Sequence, residues 1–289
     1  VLKSYSNPFW FSPVVRKSEF SEQKSQNTAK SNLNTTGIVL GLDNIIDNEA
    51  ATTFGVVVGI EKSKLDIKEQ RFSDSEISSK YVGVYGGEGL VNIGALYMMN
   101  NIKTNRTAGY TELYKVKQKS KVMHAFAELS MKYNFSKNLD SYDFYPYLGL
   151  SATKIDVDGV SESSGKNNTL APTNMYSLRI EDSNNTITSG TLGFRTKNKV
   201  TAMDRTMIYT DFGFRHNFSK PKAKNHVIEA YGQDGRFHIK GASTENLGVI
   251  SLGLHTELDK RNAIFFEARN EFSKDNKNLS ANIGYRVDF

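Results

Sequence analysis

Along most of the chain, apolar and polar positions alternate with a period of two, in runs longer than a half-buried strand of a soluble protein requires. The final run is the cleanest: Leu279, Ala281, Ile283, Tyr285, Val287 and Phe289 share one parity, and Ser280, Asn282, Gly284, Arg286 and Asp288 the other. Successive side chains of a strand point to opposite faces, so each such run predicts a strand with one apolar and one polar face. Twelve runs can be read, over residues 9–15, 37–43, 53–61, 81–85, 90–100, 122–135, 145–155, 186–197, 207–218, 249–258, 263–272 and 278–289. In the sixth, Met123, Ala125, Ala127, Leu129, Met131, Tyr133 and Phe135 oppose His124, Phe126, Glu128, Ser130, Lys132 and Asn134.

The connections add a rhythm. Links after the odd-numbered strands run roughly twenty to thirty residues and those after the even-numbered ones roughly four to nine, the layout of an antiparallel transmembrane barrel. Only the eleventh link, 273–277, breaks the rule by being short. The pattern therefore predicts an all-β fold, a twelve-stranded antiparallel transmembrane β-barrel of the bacterial outer membrane. Its long loops would be extracellular, its short turns and both barrel termini periplasmic. Trp10, Tyr133, Phe135, Tyr147, Tyr285 and Phe289 are expected to girdle the periplasmic rim, and Phe218 and Phe272 the outer one. The other architecture the pattern permits is a soluble barrel or sandwich. That would hide the apolar belt inside and put Asp211, Arg215, Glu267 and Arg269 on the surface.

Composition sharpens this picture by exclusion. The chain has 289 residues, 38% of them hydrophobic, and a mean hydropathy of −0.48. No stretch approaches the ~18 consecutive apolar residues of a transmembrane helix, whereas barrel strands need only ~9–11 residues, half of them polar. There is no cysteine, hence neither a disulfide framework nor a thiolate metal site. The net charge of +6 is modest, and lysines such as those in 220–224 read as solvated loop charge, with no nucleic-acid partner implied. Residues 1–7 lack a basic region followed by an apolar run, so an exported chain is expected to be a mature or C-terminal piece of something longer.

Function must then be read on the polar face, which lines the bore. Gly41, Gly59, Gly83, Gly94, Gly149, Gly193, Gly213, Gly253 and Gly284 all have polar-face parity. Glycine weakens a strand, so its recurrence on one face asks for a reason. Two readings stand: relief of sheet curvature, or a bore widened for a polypeptide. Between the glycines lie Asp43, Glu61, Glu128, Lys132, Arg195, Asp211, Arg215, Glu257, Glu267, Arg269, Glu271, Arg286 and Asp288. Both signs are mixed, which suits a sequence-indifferent hydrated passage better than a single-sign filter.

These residues resemble the translocator β-domain of autotransporters, the type V secretion proteins of Gram-negative bacteria. Gly37-Ile-Val-Leu-Gly-Leu-Asp43 is similar to the family's Gly-x-x-x-Gly-x-Asp strand, and Thr53-Phe-Gly-Val-Val-Val-Gly59 to the strand after it. Phe144-Tyr-Pro-Tyr147 resembles its Pro-Tyr lead into strand seven; Tyr176-Ser-Leu-Arg-Ile180 with Gly193-Phe-Arg195 resembles the approach to strand eight, and Gly253 with the C-terminal aromatic the end. The closing Asn282, Gly284, Val287 and Phe289 fit the assembly signal read by the barrel assembly machinery. The resemblance runs from Phe9 onward. It implies a domain of residues 9–289 that anchors, exports and displays its own N-terminal passenger, with residues 1–8 the end of a pore-threading segment. It further implies a lipid bilayer with lipopolysaccharide as surroundings, and a monomer. In the family, a hairpin in the fifth extracellular loop helps the passenger leave, a part that 236–240 could play here. Asn7 lies too near strand one to be assigned as a cleavage site.

Enzymatic readings find little support. There is no Gly-x-Ser-x-Gly elbow, and His124, His216, His226, His238 and His255 show no metal spacing. His124 and His255 are expected to be hydrogen-bonded wall residues. Gly86-Gly-Glu-Gly89 reads as turn chemistry and not as a dinucleotide site. No catalytic residue, cofactor or metal is expected. The competing function is a free-standing porin or adhesin that works through its extracellular loops.

Overall fold

A computed structural model describes residues 4–22, 29–47, 52–68, 73–88, 90–108, 112–133, 142–164, 178–200, 203, 205–219, 226–230, 236–239 and 245–289. Twelve long strands dominate: β1 (Phe9–Phe20), β2 (Ser31–Asp47), β3 (Thr52–Ile67), β4 (Ser73–Glu88), β5 (Val91–Ala108), β6 (Glu112–Ser130), β7 (Tyr142–Val157), β8 (Ser183–Lys199), β9 (Thr206–Asn217), β10 (Asn246–Glu257), β11 (Asn262–Phe272) and β12 (Asn276–Val287). Each pairs antiparallel with its neighbours in sequence, and β12 pairs with β1, which closes the sheet into a barrel. Closure gives each long strand a partner on both sides through the apolar belt, the condition for a sheet to sit in hydrocarbon.

Two prolines shape the first strand. Ser4–Ser6 pairs with Ile45, Ile46 and Asp47 in the register that β1 keeps with β2, so it continues β1 beyond an interruption at Asn7-Pro8. Pro8 has no N–H to give, but its carbonyl still accepts from the Asp43 N–H at 2.9 Å. Pro13 acts on the other side. The β1 to β12 pairing skips Ser12 and Pro13 opposite Gly284 and Ile283, and the Ser12 hydroxyl donates to the Ile283 carbonyl at 3.2 Å in place of the missing amide.

The strands are taller than the alternation predicts. The connections after β3 and β5 shrink to 68–72 and 109–111, because the long links expected there are taken up as strand. The physical cause is an inversion of phase. Within the belt the apolar residues of β3 to β6 point outward, as with Val56, Ile60, Val82 and Met123; nearer the long-loop rim Leu65, Ile77, Ile102, Tyr114 and Val116 point inward and lysines point out. Strand continues while the apolar parity switches. Gly86, Gly87 and Glu88, read as a turn, likewise belong to the end of β4.

Connections 158–182 and 218–245 remain long. Their described parts build a small antiparallel sheet in the order Arg236–Ile239, His226–Ala230, Leu178–Ile180, Val160–Ser161. Arg236–Ile239 is thus one arm of a hairpin, while Lys240, Tyr176, Phe135 and the lysines of 220–224 lie outside the described residues. Arg106 of β5 ties this sheet to the wall: its Nε donates to Glu162 Oε1 at 2.8 Å, and Glu162 also accepts the Leu178 N–H at 2.9 Å. At the opposite rim, Asp259 organises the turn into β11 by accepting the N–H groups of Arg261 at 2.7 Å and Asn262 at 2.9 Å. The Arg261 N–H, followed by the Asn262 side chain, holds its carboxyl below the usual carboxylate range.

Burial is inside out. Ser12, Thr35, Ser75, Ser120, Ser189 and Ser251 are buried, whereas Val15, Ile60, Leu150, Leu192 and Ile283 are exposed, Leu192 by 65%. A continuous exposed apolar belt on a closed barrel has hydrocarbon as its solvent. The soluble arrangement is overturned by this belt, since it would need the same residues inside.

Candidate functional site

The polar face is the concave one. Side chains two strands apart meet across it: Glu128 of β6 with Arg195 of β8, Arg215 of β9 with Glu271 of β11 at 3.6 Å, and Arg16 of β1 with Glu61 of β3 at 3.9 Å. A cavity of about 540 Å³ opens among residues of β6 to β11, and a second of about 340 Å³ shares Arg195, Asp211 and Arg269 with it. The bore therefore retains open volume beside its wall.

One densely bonded part of the wall is built on Tyr147. In register it lies opposite Gly193, which lies opposite Gly213. The phenol ring crosses both glycines, whose added Cβ atoms would each come within 2.6 Å of Tyr147. Its hydroxyl donates to Asp211 Oδ1 at 2.8 Å. On top of the ring lies the Arg195 guanidinium, 4.2 Å from the centroid. Arg195 makes a two-pronged ion pair with Glu128, at 2.5 and 2.7 Å, and reaches Asp211 Oδ2 at 3.4 Å. One cation thus shares two carboxylates and an aromatic face, a geometry suited to the planar fork of arginine.

The same device recurs round the bore. Trp10 crosses Gly41, Tyr85 crosses Gly55, Tyr81 crosses Gly59, Phe126 crosses Gly94 and Phe265 crosses Gly284, each from the position opposite on the next strand. Asp43 joins this set by accepting from Trp10 Nε1 at 3.3 Å and from the Tyr85 hydroxyl. The Tyr81 hydroxyl donates to Glu61 at 3.4 Å. Rings seated on glycine keep aromatic bulk out of the passage, because the side chain lies along the wall. Seating the rings is a role for these glycines other than the two alternatives, curvature relief or a wider bore, that the sequence leaves open. Gly253 has only ordinary contact with Tyr209, and neither Gly83 nor Gly149 sits under a ring.

The remaining expected residues divide between wall and rim. Arg269 pairs with Glu271 at 3.0 Å, and Asn282 approaches Glu267 at 3.5 Å. Arg286 pairs with Asp288 at 2.9 Å. Lys132 is not on the wall: β6 ends at Ser130, and the lysine sits beyond it, paired with Asp143 at 2.9 Å. Glu257, the last residue of β10, is exposed at the same rim. His124 Nδ1 bonds Thr153 Oγ1 at 2.8 Å, as expected of a wall residue. Val287 ends β12, and Phe289 is exposed beyond it.

Sequence reasoning assigned Trp10 and Tyr147 to an outward girdle, and both point inward. They are amphipathic rings, and the neighbouring glycines provide seats for them on the inner face. The available signal was their polar-face parity, shared with Tyr81, Tyr85 and Phe265; reading it required the register.

The profile of the family described as autotransporter beta-domain matches residues 9–269. Among solved structures, the chain is similar to the translocator domain of the autotransporter NalP from Neisseria meningitidis, with 13% identity, a TM-score of 0.72 and coverage of 98% of this chain and 88% of that one. It is similar also to the β-domain of the Bordetella autotransporter BrkA, with 14% identity, a TM-score of 0.64 and coverage of 99% and 100%. The transport unit of the autotransporter AIDA-I from Escherichia coli gives 15% identity, a TM-score of 0.61 and coverage of 97% and 90%. No curated protein matches the chain.

Proposed function

Because the chain belongs to the autotransporter β-domain family, we propose that its bore is the passage through which the chain's own N-terminal passenger leaves the cell. The barrel is an outer-membrane translocation pore. The observation that carries the mechanism is the wall itself: aromatics lie flat on glycines, and Arg195 is neutralised locally by Glu128 and Asp211. Charges paired along the wall leave no strong single-sign field across the passage, so an extended polypeptide of any composition can slide past. The lumen residues named above act collectively as this surface. Energy is supplied by the passenger folding outside, and the barrel itself contributes no catalytic step.

In this reading the long-loop rim faces outward and both barrel termini face the periplasm. Support comes from the lysines that follow the apolar belt on that side: Lys17, Lys62, Lys80, Lys121, Lys154 and Lys277 are exposed just above it on six of the twelve strands. Cations there meet the phosphorylated surface of the outer leaflet. Asn282, Gly284, Val287 and Phe289 present the closing strand to the assembly machinery, and the segment leading into β1 occupies the bore. The barrel works as a monomer, since its closed sheet offers no edge for pairing. A free-standing porin or adhesin is not favoured by the family match.

Photo-crosslinking tests the passage. A passenger stalled by a folded, disulfide-closed insert should crosslink to a photoreactive residue at Thr153 or Ser251, on the inner face, and not at Leu150 or Leu252, on the outer face. Crosslinks confined to the outer positions would contradict the proposal.

A further inference from the structure

The sequence Lys115-Val-Lys-Gln-Lys-Ser-Lys121 puts four lysines on one face of β6, because every second residue shares a face. All four are exposed, and they point outward on the stretch that rises above the apolar belt, starting directly after Met123. Exposed Lys103 of β5 stands directly opposite Lys117. Like charges placed opposite each other destabilise a sheet, so this face needs anions. Three carboxylates lie nearby, fewer than the five lysines: Glu76 stands opposite Lys103, Asp156 stands opposite Lys121 but pairs with Lys154 at 3.4 Å, and exposed Asp158 gives its N–H to the Lys119 carbonyl at 3.0 Å. Among the described residues no carboxylate closes an ion pair with Lys103, Lys117, Lys119 or Lys121. The opposite face of the same stretch is fixed, with Tyr114 and Val116 buried and the Arg106 guanidinium 5.1 Å from the Tyr114 ring centroid. The row therefore forms an outward-facing strip about 20 Å long at ~3.3 Å per residue.

We infer that this strip binds the phosphorylated headgroup of an outer-leaflet glycolipid, the lipid A portion of lipopolysaccharide. The inference rests on the outer-membrane reading above and adds a site and a ligand chemistry to it. Direction selects this occupant over a soluble polyanion. The lysines face sideways from the barrel wall and continue the apolar belt without a gap, so a molecule with acyl chains below and phosphates above fits both surfaces at once. Ammonium groups serve phosphate as point charges without demanding one geometry, which suits a row meeting several headgroup phosphates.

The test uses the full chain in phosphatidylcholine vesicles containing either bisphosphorylated or dephosphorylated lipid A, with glycolipid retained per barrel as the readout. The chain should retain the bisphosphorylated form preferentially, and Lys103, Lys117, Lys119 and Lys121 all changed to Gln should lower retention about tenfold or more. The same four changed to Arg should restore it. Lys199→Gln with Lys260→Gln, at the opposite rim, should leave it unchanged. Heat-modifiable migration shows whether each variant is folded, and the Arg variant separates charge from packing. Equal retention by folded wild-type and Gln barrels would overturn the inference, as would preference for soluble heparin over vesicle-borne lipid A. Passenger display on cells is a separate readout: its failure in the wild-type chain would count against the pore and leave the lipid result standing.

Discussion

Tyr147 shows how one side chain organises the wall. Its ring occupies the space that side chains at 193 and 213 would fill, and its upper face supports Arg195. Gly193→Val should force the ring off the wall and cost roughly 1–3 kcal/mol by overpacking, measured as a lower temperature for loss of heat-modifiable migration. Tyr147→Ala in the same chain should recover part of that loss. Gly149→Ala, where an added Cβ would make only ordinary contacts at 3.7 Å or more, should be tolerated. Arg195→Ala would leave Glu128 and Asp211 without their shared cation, and the bore should become more cation-selective in reversal-potential measurements; Glu128→Gln should reverse much of the shift. The glycine positions could be read from parity alone, since every second residue of a strand shares a face. What covers them could not. A ring reaches the glycine opposite only in one register, and register is set by pairing across the sheet.

The strands extend that lesson to elements. Their existence was legible because alternation reports the apolar solvent outside each one. Their height was not, since above the belt the apolar parity moves inward, as at Tyr114 and Val116, and a search for outward apolar residues stops there. The closing seam carries a second local decision. Pro13 removes a donor facing Ile283, and the Ser12 hydroxyl substitutes for it. Ser12→Ala should therefore weaken the seam by about 1 kcal/mol, the net worth of one hydrogen bond, with faster amide exchange on β12 around Ile283 and Gly284. Replacing Pro13 by Val in that background should return the ladder amide and slow exchange again.

Taken together, the closed sheet, the apolar exterior and the ion-paired wall make a barrel whose bore keeps open volume beside its side chains. Gly284 and Phe289 illustrate how one strand carries two duties in this account. If the exposed terminal aromatic serves as part of the assembly signal, as proposed above, Phe289→Ala should reduce the amount of barrel in the outer membrane. Gly284→Leu displaces the Phe265 ring and should lower passenger export from barrels that have inserted. Identical assembly defects in both would mean that Gly284 acts only through folding. The decisive measurement is protease accessibility of an epitope-tagged passenger fused upstream of Val1 in intact cells. The tag should be cleaved from outside whenever heat-modifiable barrel is present in the outer membrane. A folded, inserted barrel with its tag still protected in the periplasm would contradict it.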